Sequence, residues 1–311
     1  MTIGFRGGKV PPVNGTKTLA DIFDDMNITI ERFFGPLTNW IIGGTKMTEK
    51  EYNLLPAVRR SDLLLLRKSP LHLLFSKSAD AVLEPPTPAQ IFGSACHKFA
   101  LEGGEAFGRE YAVAPAIDRR TKVGKEEWEI FKLENEGKQI IAPEDFEKIK
   151  SMKSALAAHP TAMSLLSGEH EQSYVWTDDE TGEDCKIRLD CLTNYQGRPL
   201  IVDYKTVSSC EDGVFERECR KYGYKIQAGM YTEGLACATN FSVDAGFAFV
   251  CQEKTAPYAV RVYMCDPGFV EQGNRQFHEL LRYYHMCRES GNWPGYSDGY
   301  LCADEWDEVA E

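Results

Sequence analysis

Three charged residues near the middle of the chain have the types and the spacing of a metal-dependent hydrolytic site. Asp190 precedes Asp203 by thirteen positions, and Lys205 follows two positions later. They stand in two strand-like stretches joined by a polar turn that contains Gly197, as in a β-hairpin. Hard cations such as Mg²⁺ take oxygen ligands and are often bound by one or two carboxylates together with a substrate phosphate. The spacing therefore makes cation-assisted cleavage of phosphate esters the leading interpretation.

The register of this hairpin decides whether the two carboxylates meet. If the turn centres near Gln196, antiparallel pairing sets Asp190 opposite Asp203, and facing Cβ atoms in such a pair lie roughly 4.5 to 5.5 Å apart. Because side chains along a strand point to opposite faces in turn, one face is predicted to hold Lys186, Arg188, Asp190, Asp203 and Lys205. The other face is predicted to pack through Ile187, Leu189, Cys191, Leu200, Val202 and Tyr204. On the strand pattern alone, a solvated hairpin face with mixed charges is an equal alternative.

The composition is that of an ordinary globular protein. With 311 residues, 43% of them hydrophobic and 26% charged, the chain can bury a sizeable core in one large domain or two small ones. No apolar run approaches the roughly 18 residues that a bilayer-spanning helix needs. The first residues lack the apolar centre of a signal peptide. We therefore expect a cytoplasmic protein with no membrane partner.

Two common cofactor signatures are absent from the sequence. The chain has ten cysteines but no C-x-x-C pair, and such close pairs are typical of zinc sites and of iron-sulfur clusters. We expect reduced, mostly buried cysteines and no iron-sulfur cluster. No G-x-x-x-x-G-K-[ST] phosphate loop occurs either, so hydrolysis is expected to run without ATP.

The formal net charge of −12 argues against nucleic-acid binding over the whole surface, because broad nonspecific binding usually shows as a basic surface. A DNA-binding protein with this balance must concentrate its positive charge in a channel. The candidates are three clusters of basic residues: Arg59, Arg60, Arg67 and Lys68; Arg119, Arg120, Lys122 and Lys125; and Arg217, Arg220, Lys221 and Lys225. Each cluster taken alone is better explained as a solvated face.

The order of helix and strand patterns predicts one α/β domain, residues 48–295, between an N-terminal extension, residues 1–47, and an acidic tail, residues 296–311. A short helix is predicted from the N-cap Ser61 towards Pro70, with further helices at Ala89–Leu101, Pro143–Ala158, Tyr222–Ala238 and Pro267–Arg288. Strands are predicted at Ser173–Thr177, Asp184–Thr193, Pro199–Val207, Ala245–Cys251 and Tyr258–Met264. The expected architecture is a mixed sheet with helices wrapped around it.

Five motif blocks extend the pattern beyond the hairpin. In chain order they are Gly93-Ser-Ala-Cys-His97, Glu102, Arg188-Leu-Asp190, Asp203-Tyr-Lys205 and Gln227-Ala-Gly-Met-Tyr231. This series resembles the PD-(D/E)xK nuclease superfamily in its RecB-like branch, and most closely its RecE-like nucleases, over roughly residues 48 to 295. A lone D-x-K triplet is weak evidence, whereas five blocks in the family's order are strong. The resemblance implies a restriction-endonuclease-like core with a mixed central sheet flanked by helices.

The resemblance also implies a metal site with residues in particular roles. Asp190 and Asp203 would bind Mg²⁺, or Mn²⁺ as a substitute, with the backbone carbonyl of Tyr204 as a further ligand. Lys205 would orient the attacking water and offset the charge that develops on the phosphate. His97 would be an additional ligand, although a histidine in an Ala-Cys-rich helix also fits a hydrogen-bonded core position.

The remaining implied residues lie around that site. Glu102 is a possible ligand, but five positions beyond His97 is about 140° round a helix, so a salt bridge or an outer role is equally open. Gln227 and Tyr231, four residues apart on a predicted helix, share one face and would border the catalytic site; helix packing with a buried hydroxyl is the alternative. DNA contacts are expected from Ser61, Arg67, Arg119, Arg120 and Arg188.

The activity that the resemblance implies is a Mg²⁺-dependent 5′→3′ exonuclease on double-stranded DNA ends, which leaves 3′ single-stranded tails for recombination by strand annealing. A ring-like homo-oligomer and a RecT-like annealing protein would be its partners, in a bacterial or phage-infected cytoplasm. The acidic tail around Trp306 is a candidate contact for the annealing protein, and a solvated chain end is the alternative. Two other functions stay open: a single-strand or structure-selective nuclease of the same superfamily, and a non-catalytic DNA-binding or assembly protein that keeps the fold.

Overall fold

The structure is a computed structural model, and it describes residues 44–78, 85–240 and 242–298. The described residues form the strands β1 (Thr45–Lys46), β2 (Tyr111–Val113), β3 (Gln139–Ile141), β4 (Glu169–Thr177), β5 (Asp184–Tyr195), β6 (Arg198–Val207), β7 (Gly246–Glu253) and β8 (Val260–Met264). They also form the helices α1 (Glu49–Leu54), α2 (Arg60–Lys68), α3 (Pro70–Lys77), α4 (Pro88–Leu101), α5 (Gly103–Glu110), α6 (Lys122–Glu134), α7 (Pro143–Ala157), α8 (Pro160–Leu165), α9 (Asp212–Lys221), α10 (Tyr224–Ala238) and α11 (Pro267–Ser290).

Six strands make one mixed sheet in the order β1-β4-β5-β6-β7-β8. All neighbours run antiparallel except β6 and β7, which are parallel and are connected through α9 and α10. Strands β2 and β3 form a separate parallel pair. The prediction of an α/β fold with a mixed central sheet flanked by helices is confirmed.

Both faces of the sheet are buried. Along β6, Ile201 and Val207 pack in one cluster with α2, α9, α10 and α11, whereas Val202 and Tyr204 pack in another with α7 and α8. A strand that is covered on both faces reads as a continuous apolar run, which is why Leu200–Val202 has no polar position. Each fully buried aliphatic side chain contributes about 1.5 to 3 kcal/mol, so the sheet holds the site rigidly from both sides.

The hairpin has the predicted register. Gln196 and Gly197 form its turn with positive φ angles of 51° and 81°, as two-residue hairpin turns of the primed types require. Pairing runs from Tyr195 opposite Arg198 to Cys191 opposite Val202. One further step in this register sets Asp190 opposite Asp203.

The predicted division of the hairpin into a packed face and a charged face is wrong. Leu189 packs in the same cluster as Ile201, whereas Cys191 packs on the other side of the sheet with Val202. The strand changes faces at Asp190, where its pairing with β4 is interrupted. Consequently Lys186 and Arg188 do not share a face with Asp203. The face of the sheet opposite the cluster of Leu189 and Ile201 is also buried.

Lys186 is buried on the face of the sheet opposite Leu189 and Ile201. Its ammonium group donates hydrogen bonds to the backbone carbonyls of Tyr52 (2.8 Å) and Leu55 (2.7 Å). Hydrogen bonds of a charged donor contribute about 1.5 to 3 kcal/mol each. Lys186 therefore fastens the end of α1 to β5, and it is not a solvated charge.

Several local elements differ from the sequence prediction. The predicted helix at Tyr222–Ala238 is preceded by a second helix, α9, and the two meet at Gly223, whose φ of 63° only glycine adopts readily. Helix α2 begins at Arg60 with Arg59 as its N-cap, so Ser61 is not the cap. The short elements β2, β3, α5 and α8 carry patterns too brief to predict, and the 13-residue helix α6 was not predicted either.

The ends of the chain were assigned to an extension and a tail. Residues 1–43 and the tail around Trp306 lie outside the described residues. Thr45 and Lys46, placed in the extension by the sequence, pair with β4 at the edge of the sheet. Within the described ranges, no helix combines the length and the hydrophobicity needed to cross a bilayer.

Candidate active site

Asp190 and Asp203 lie where strands β5 and β6 separate. Beyond the pair of Cys191 and Val202, β5 stays paired only with β4, and β6 only with β7. The gap opens into a cleft of about 460 Å³ that Asp190, Lys205 and His97 line together with Glu171. Separation of the two strands thus gives a phosphate access to Asp190, whereas Asp203 is almost fully buried and does not line the cleft.

His97 comes to this point from the middle of α4. Its Nε2 atom lies 3.0 Å from Asp190 Oδ2 and 2.7 Å from the carbonyl oxygen of Tyr204. The backbone N–H of Tyr204 donates to the same Asp190 oxygen at 2.9 Å. Three predicted ligands, the imidazole of His97, the carboxylate of Asp190 and the carbonyl of Tyr204, are therefore brought together.

Asp203 is almost fully buried beside them. Gln227 Nε2 donates to its Oδ1 atom at 2.5 Å, and Lys205 Nζ lies 2.7 Å from its Oδ2 atom. The lysine contact has ion-pair distance without hydrogen-bond direction, so Oδ2 receives no well-aligned hydrogen bond from the described residues. This buried oxygen is thus paired with one cation, the ammonium group of Lys205, and an incoming metal ion would share it with Lys205 or take its place.

The two carboxylates differ in their electrostatic surroundings. Burial tends to raise the pKa of Asp190, but the charge and the hydrogen bond of His97 outweigh it and lower that pKa below the usual value. Burial also raises the pKa of Asp203, and here Lys205 offsets only part of the effect. Asp190 is thus the carboxylate more firmly held in its ionised form.

His97 is a cation in this arrangement. Burial alone would lower its pKa, but the adjacent carboxylate of Asp190 prevails and raises the pKa to about 9. Coordination to a metal requires the neutral imidazole, so metal binding here would release a proton.

Lys205 is held over an aromatic ring. Its Nζ atom lies 5.0 Å from the ring centroid of Tyr224, and the guanidinium of Arg60 lies 5.4 Å from the same centroid. Cation–π contacts of this kind contribute about 0.5 to 2 kcal/mol. The ammonium group is therefore held next to Asp203 by a second partner.

Glu171 belongs to the site and was missed in the sequence. Ligand atoms of His97, Glu171 and Asp190 all lie within 4.8 Å of one another. Glu171 Oε2 lies 2.5 Å from Nε of Arg188, and burial followed by the charge of Asp190 raises the pKa of Glu171. The same register reasoning that was applied to β5 and β6 would have found it, because the β4–β5 register sets Glu171 opposite Asp190.

Glu102 and Tyr231 occupy more peripheral positions. Glu102 ends α4 and pairs with Lys98 (2.6 Å), which also holds Glu110 (2.8 Å), so its carboxylate is not in the group around His97. Tyr231 packs against Phe247 at 6.3 Å between ring centroids, and burial raises the pKa of its hydroxyl. Of the two helix residues expected at the border, only Gln227 hydrogen-bonds a carboxylate of the site.

The residues expected to contact DNA have varied surroundings. Arg188 lines the cleft. Ser61 is exposed at the start of α2, and Arg67 donates to the carbonyl of Lys221 at 3.3 Å. Arg119 and Arg120 precede α6, where Arg119 lies 4.5 Å above the ring of Trp128 and Arg120 pairs with Asp118 at 2.9 Å.

Comparison with known proteins places this geometry in a family. Residues 60–304 match the model of a PDDEXK-like domain of unknown function (DUF3799). The chain belongs to this family. The predicted membership of the PD-(D/E)xK superfamily is thereby confirmed. No curated protein matches the sequence.

One solved structure shares the fold at low identity. The crystal structure of a protein from Eubacterium rectale, provisionally named an exonuclease, aligns with a TM-score of 0.54 and 15% identity over 85% of this chain and 99% of that one. The crystal structure of SSO0001 aligns with a TM-score of 0.27 and 13% identity over 72% of this chain and 85% of that one. The alignment with the Eubacterium rectale protein supports the fold. The alignment with SSO0001 is too weak to support an argument.

Proposed function

We propose that this protein is a Mg²⁺-dependent, ATP-independent 5′→3′ exonuclease that acts on the ends of double-stranded DNA and leaves 3′ single-stranded tails for strand annealing. The observation that carries the proposal is the meeting of Asp190, Asp203, Lys205 and His97 at the point where β5 and β6 separate. Each belongs to a motif block of the RecE-like nucleases. The exonuclease name of the protein from Eubacterium rectale, which shares the fold, agrees with this assignment.

The donor set fits a hard divalent cation. It combines two carboxylates, a backbone carbonyl and an imidazole, and it contains the buried, unaligned oxygen of Asp203. Asp190, Asp203 and the Tyr204 carbonyl would hold the ion, with His97 beside them. When bound, Mg²⁺ supplies a nucleophile at neutral pH and neutralises charge on the phosphate.

The protein's own side chains perform the remaining work. Lys205, held by Asp203 and Tyr224, lines the cleft, where its ammonium group would orient the attacking water and stabilise charge on the phosphate oxygens. Gln227 fixes the carboxylate of Asp203 through its amide, so that the Oδ2 atom beside Lys205 keeps its direction. The rigid sheet below maintains these positions without reorganisation.

The charge of the molecule bears on how it holds DNA. With a net charge of −12, one isolated chain repels DNA over most of its surface. A ring-like homo-oligomer that collects basic side chains in its bore would resolve this conflict and keep the enzyme on the duplex. An acidic exterior would remain available to a basic annealing protein in the cytoplasm of a bacterium or an infected host.

The proposal is tested with linear duplex DNA labelled at either the 5′ or the 3′ end. With Mg²⁺ and without ATP, we expect the 5′ label to be released as mononucleotides at once and the 3′ label to persist until late. Covalently closed duplex should stay intact. Early release of the 3′ label would contradict the polarity, and cleavage of single strands alone would favour the structure-selective alternative.

A further inference from the structure

Helix α6 contributes almost nothing to the buried core. Of its 13 residues only Gly124 is buried, and this glycine packs against the backbone of Asp118 in the loop before the helix. On the same side of α6, the ring of Trp128 lies 5.5 Å from that of Phe131 and 4.5 Å from the guanidinium of Arg119. Isolated helices shorter than about 12 to 15 residues are marginal in water, so α6 would gain stability from a further partner.

The opposite side of α6 carries an exposed apolar stripe. Val123, Ile130 and Leu133 keep 62%, 56% and 74% of their surface exposed. At 3.6 residues per turn these three side chains share one face of the helix, about 140° away from Trp128 and Phe131. The helix therefore has a second apolar side that the rest of the chain leaves uncovered.

Carboxylates give this side a negative charge. Glu126, Glu127 and Glu134 lie with the apolar stripe in one arc of about 120°. Lys122, at the edge of the arc, is 4.0 Å from Glu126 and offsets one of the three charges. The other lysines of α6 lie outside the arc. We call this acidic, apolar surface the α6 face: Val123, Glu126, Glu127, Ile130, Leu133 and Glu134.

A second exposed apolar surface lies on α3. Leu71 and Phe75, one helical turn apart, are 49% and 58% exposed. Tyr296 is 69% exposed, and its ring centroid lies 5.3 Å from that of His72. The N–H of Leu71 donates to the carbonyl of Pro294 at 3.1 Å, which holds the chain before Tyr296 against α3. We call Leu71, Phe75 and Tyr296 the α3 face.

Basic side chains border the α3 face. Arg67 and Lys68 are exposed at the end of α2, directly before α3. Arg67 also donates to the carbonyl of Lys221 at 3.3 Å, which brings the exposed Arg220 and Lys221 at the end of α9 to the same border. The α3 face is thus apolar like the α6 face and has the opposite charge around it.

We propose that the α6 face of one copy of the protein docks on the α3 face of a second copy. The two faces belong to different parts of the molecule. Leu73 of α3 packs in the cluster of Leu189 and Ile201, whereas Tyr111 and Ile141, on the strands before and after α6, pack in a separate cluster. A contact between unlike faces leaves one face of each kind free on every pair, so further copies add until a ring closes.

Charge decides between this contact and its alternatives. Two α6 faces would set carboxylates against carboxylates, and two α3 faces would set basic side chains against one another. Each chain also carries a net charge of −12, so the copies repel unless the contact itself joins opposite charges. The inference deepens the proposed function, because it names the contact on which the ring-like homo-oligomer of that proposal rests.

The test measures the mass of the full-length protein by light scattering, without DNA or metal. Ile130→Ala with Leu133→Ala alters only the α6 face, and Leu71→Ala with Phe75→Ala alters only the α3 face. Each double variant should raise the dissociation constant by about 30-fold or more, as expected for central contact residues. Met264→Ala, at a side chain of β8 that is 51% exposed, is the matched control and should keep the wild-type mass.

Mixing the two double variants distinguishes unlike faces from like ones. Each variant retains one intact face of a different kind, so the equimolar mixture should form a particle of twice the chain mass and no larger. Association of the wild type should weaken as salt screens the charges at the contact. A mixture that stays monomeric, or one double variant that keeps the wild-type mass, would overturn the proposed contact.

The outcome is separable from the nuclease proposal. A protein that shows this pattern of masses but cleaves no DNA refutes the proposed function and leaves the contact intact. An active nuclease whose wild type is a monomer refutes the contact alone. If the alanine pair in α6 disturbs the helix in circular dichroism, Glu127→Lys with Glu134→Lys serves in its place and must dissociate the oligomer as well.

Discussion

At the scale of single residues, the site works by placing similar groups in different surroundings. Asp190 accepts hydrogen bonds from His97 and from the backbone of Tyr204, whereas Asp203 is buried against Lys205 and Gln227. The charge of Asp190 also raises the pKa of Asp203, so the two carboxylates repel each other unless a cation or a proton offsets one of the charges. In the metal-free protein, the positive charges of His97 and Lys205 offset the two carboxylate charges. A bound metal ion would offset these charges in their place.

We predict that Asp190→Ala and Asp203→Ala each abolish DNA cleavage without unfolding the protein. Each variant removes a proposed cation ligand. Asp203→Ala also removes a buried carboxylate whose pKa is raised, so its melting temperature in metal-free buffer should be unchanged or higher. Asp190→Ala loses the ion pair with His97, so its melting temperature should be lower although the protein stays folded. Glu102→Gln, in the same cleft, is the control and should keep the activity. Substantial cleavage by either folded alanine variant would refute the assigned site.

Lys205 and His97 should differ in their response to metal. We predict that Lys205→Ala slows cleavage by about 10²-fold or more, as expected for the loss of one electrostatic stabiliser, and that excess Mg²⁺ does not restore it. His97→Ala should instead raise the Mg²⁺ concentration needed for half-maximal rate. Rates measured across a Mg²⁺ titration separate the two, and a His97→Ala defect that no Mg²⁺ concentration reduces would exclude this histidine as a ligand.

At the scale of elements, the sequence predicted the hairpin well and its surroundings poorly. The turn at Gln196 and Gly197 sets the register locally, so Asp190 opposite Asp203 could be derived from a few neighbouring residues. The change of faces at Asp190 could not, because it depends on the interrupted pairing with Glu171 on another strand. His97 was reached only through a motif block, since its contact with Tyr204 spans 107 positions of the chain.

The contact between α10 and α11 shows a further constraint on the site. A Cβ atom at Gly229 would overlap the backbone nitrogen of Asn274, and one at Gly273 would overlap the carbonyl of Lys225. Helix α10 also carries Gln227, which holds Asp203. The two glycines therefore set the distance between the helices and, through it, the position of a site residue.

We predict that Gly229→Ala lowers the free energy of unfolding by about 1 to 3 kcal/mol, because an overpacked helix contact forces the backbones apart. Cleavage should also weaken as Gln227 moves. Gly108→Ala is the control: its Cβ meets nothing within 4 Å in α5, and alanine in a helix gains about 0.5 to 1 kcal/mol over glycine. Denaturant titration checks both, and equal stability of the two variants would contradict the close approach.

The buried Lys186 gives the unfolding free energy a specific pH dependence. Burial lowers its pKa from 10.5 to about 7, so between these values the unfolded chain binds a proton that the folded chain has released. The free energy of unfolding should therefore rise with pH across this window, by roughly 3 to 6 kcal/mol relative to that of Lys186→Met. Below pH 7, the difference in unfolding free energy between the two proteins should be constant. Denaturant titrations at a series of pH values measure the unfolding free energy of both proteins. Curves that run parallel between pH 7 and 10.5 would contradict the lowered pKa of Lys186.

At the scale of the whole molecule, charge and shape must be reconciled with the proposed substrate. The net charge of −12 opposes DNA binding, and the cleft contains carboxylates as well as Lys205 and Arg188. A single chain of 35.0 kDa would hold a duplex weakly and release it at physiological salt, because such binding depends on phosphate neutralisation. Several chains around one duplex would place many basic side chains near phosphates at once.

We predict that the protein is a closed homo-oligomer and degrades DNA processively. Light scattering should give at least three times the chain mass of 35.0 kDa, because fewer copies would not surround a duplex. When excess unlabelled DNA is added after the start of a reaction, a labelled duplex that is already engaged should be degraded to its end, since a ring cannot exchange substrates in mid-strand. A 35 kDa particle in light scattering, or immediate arrest by the unlabelled DNA, would show that an open monomer acts distributively and that the acidic surface is overcome in another way.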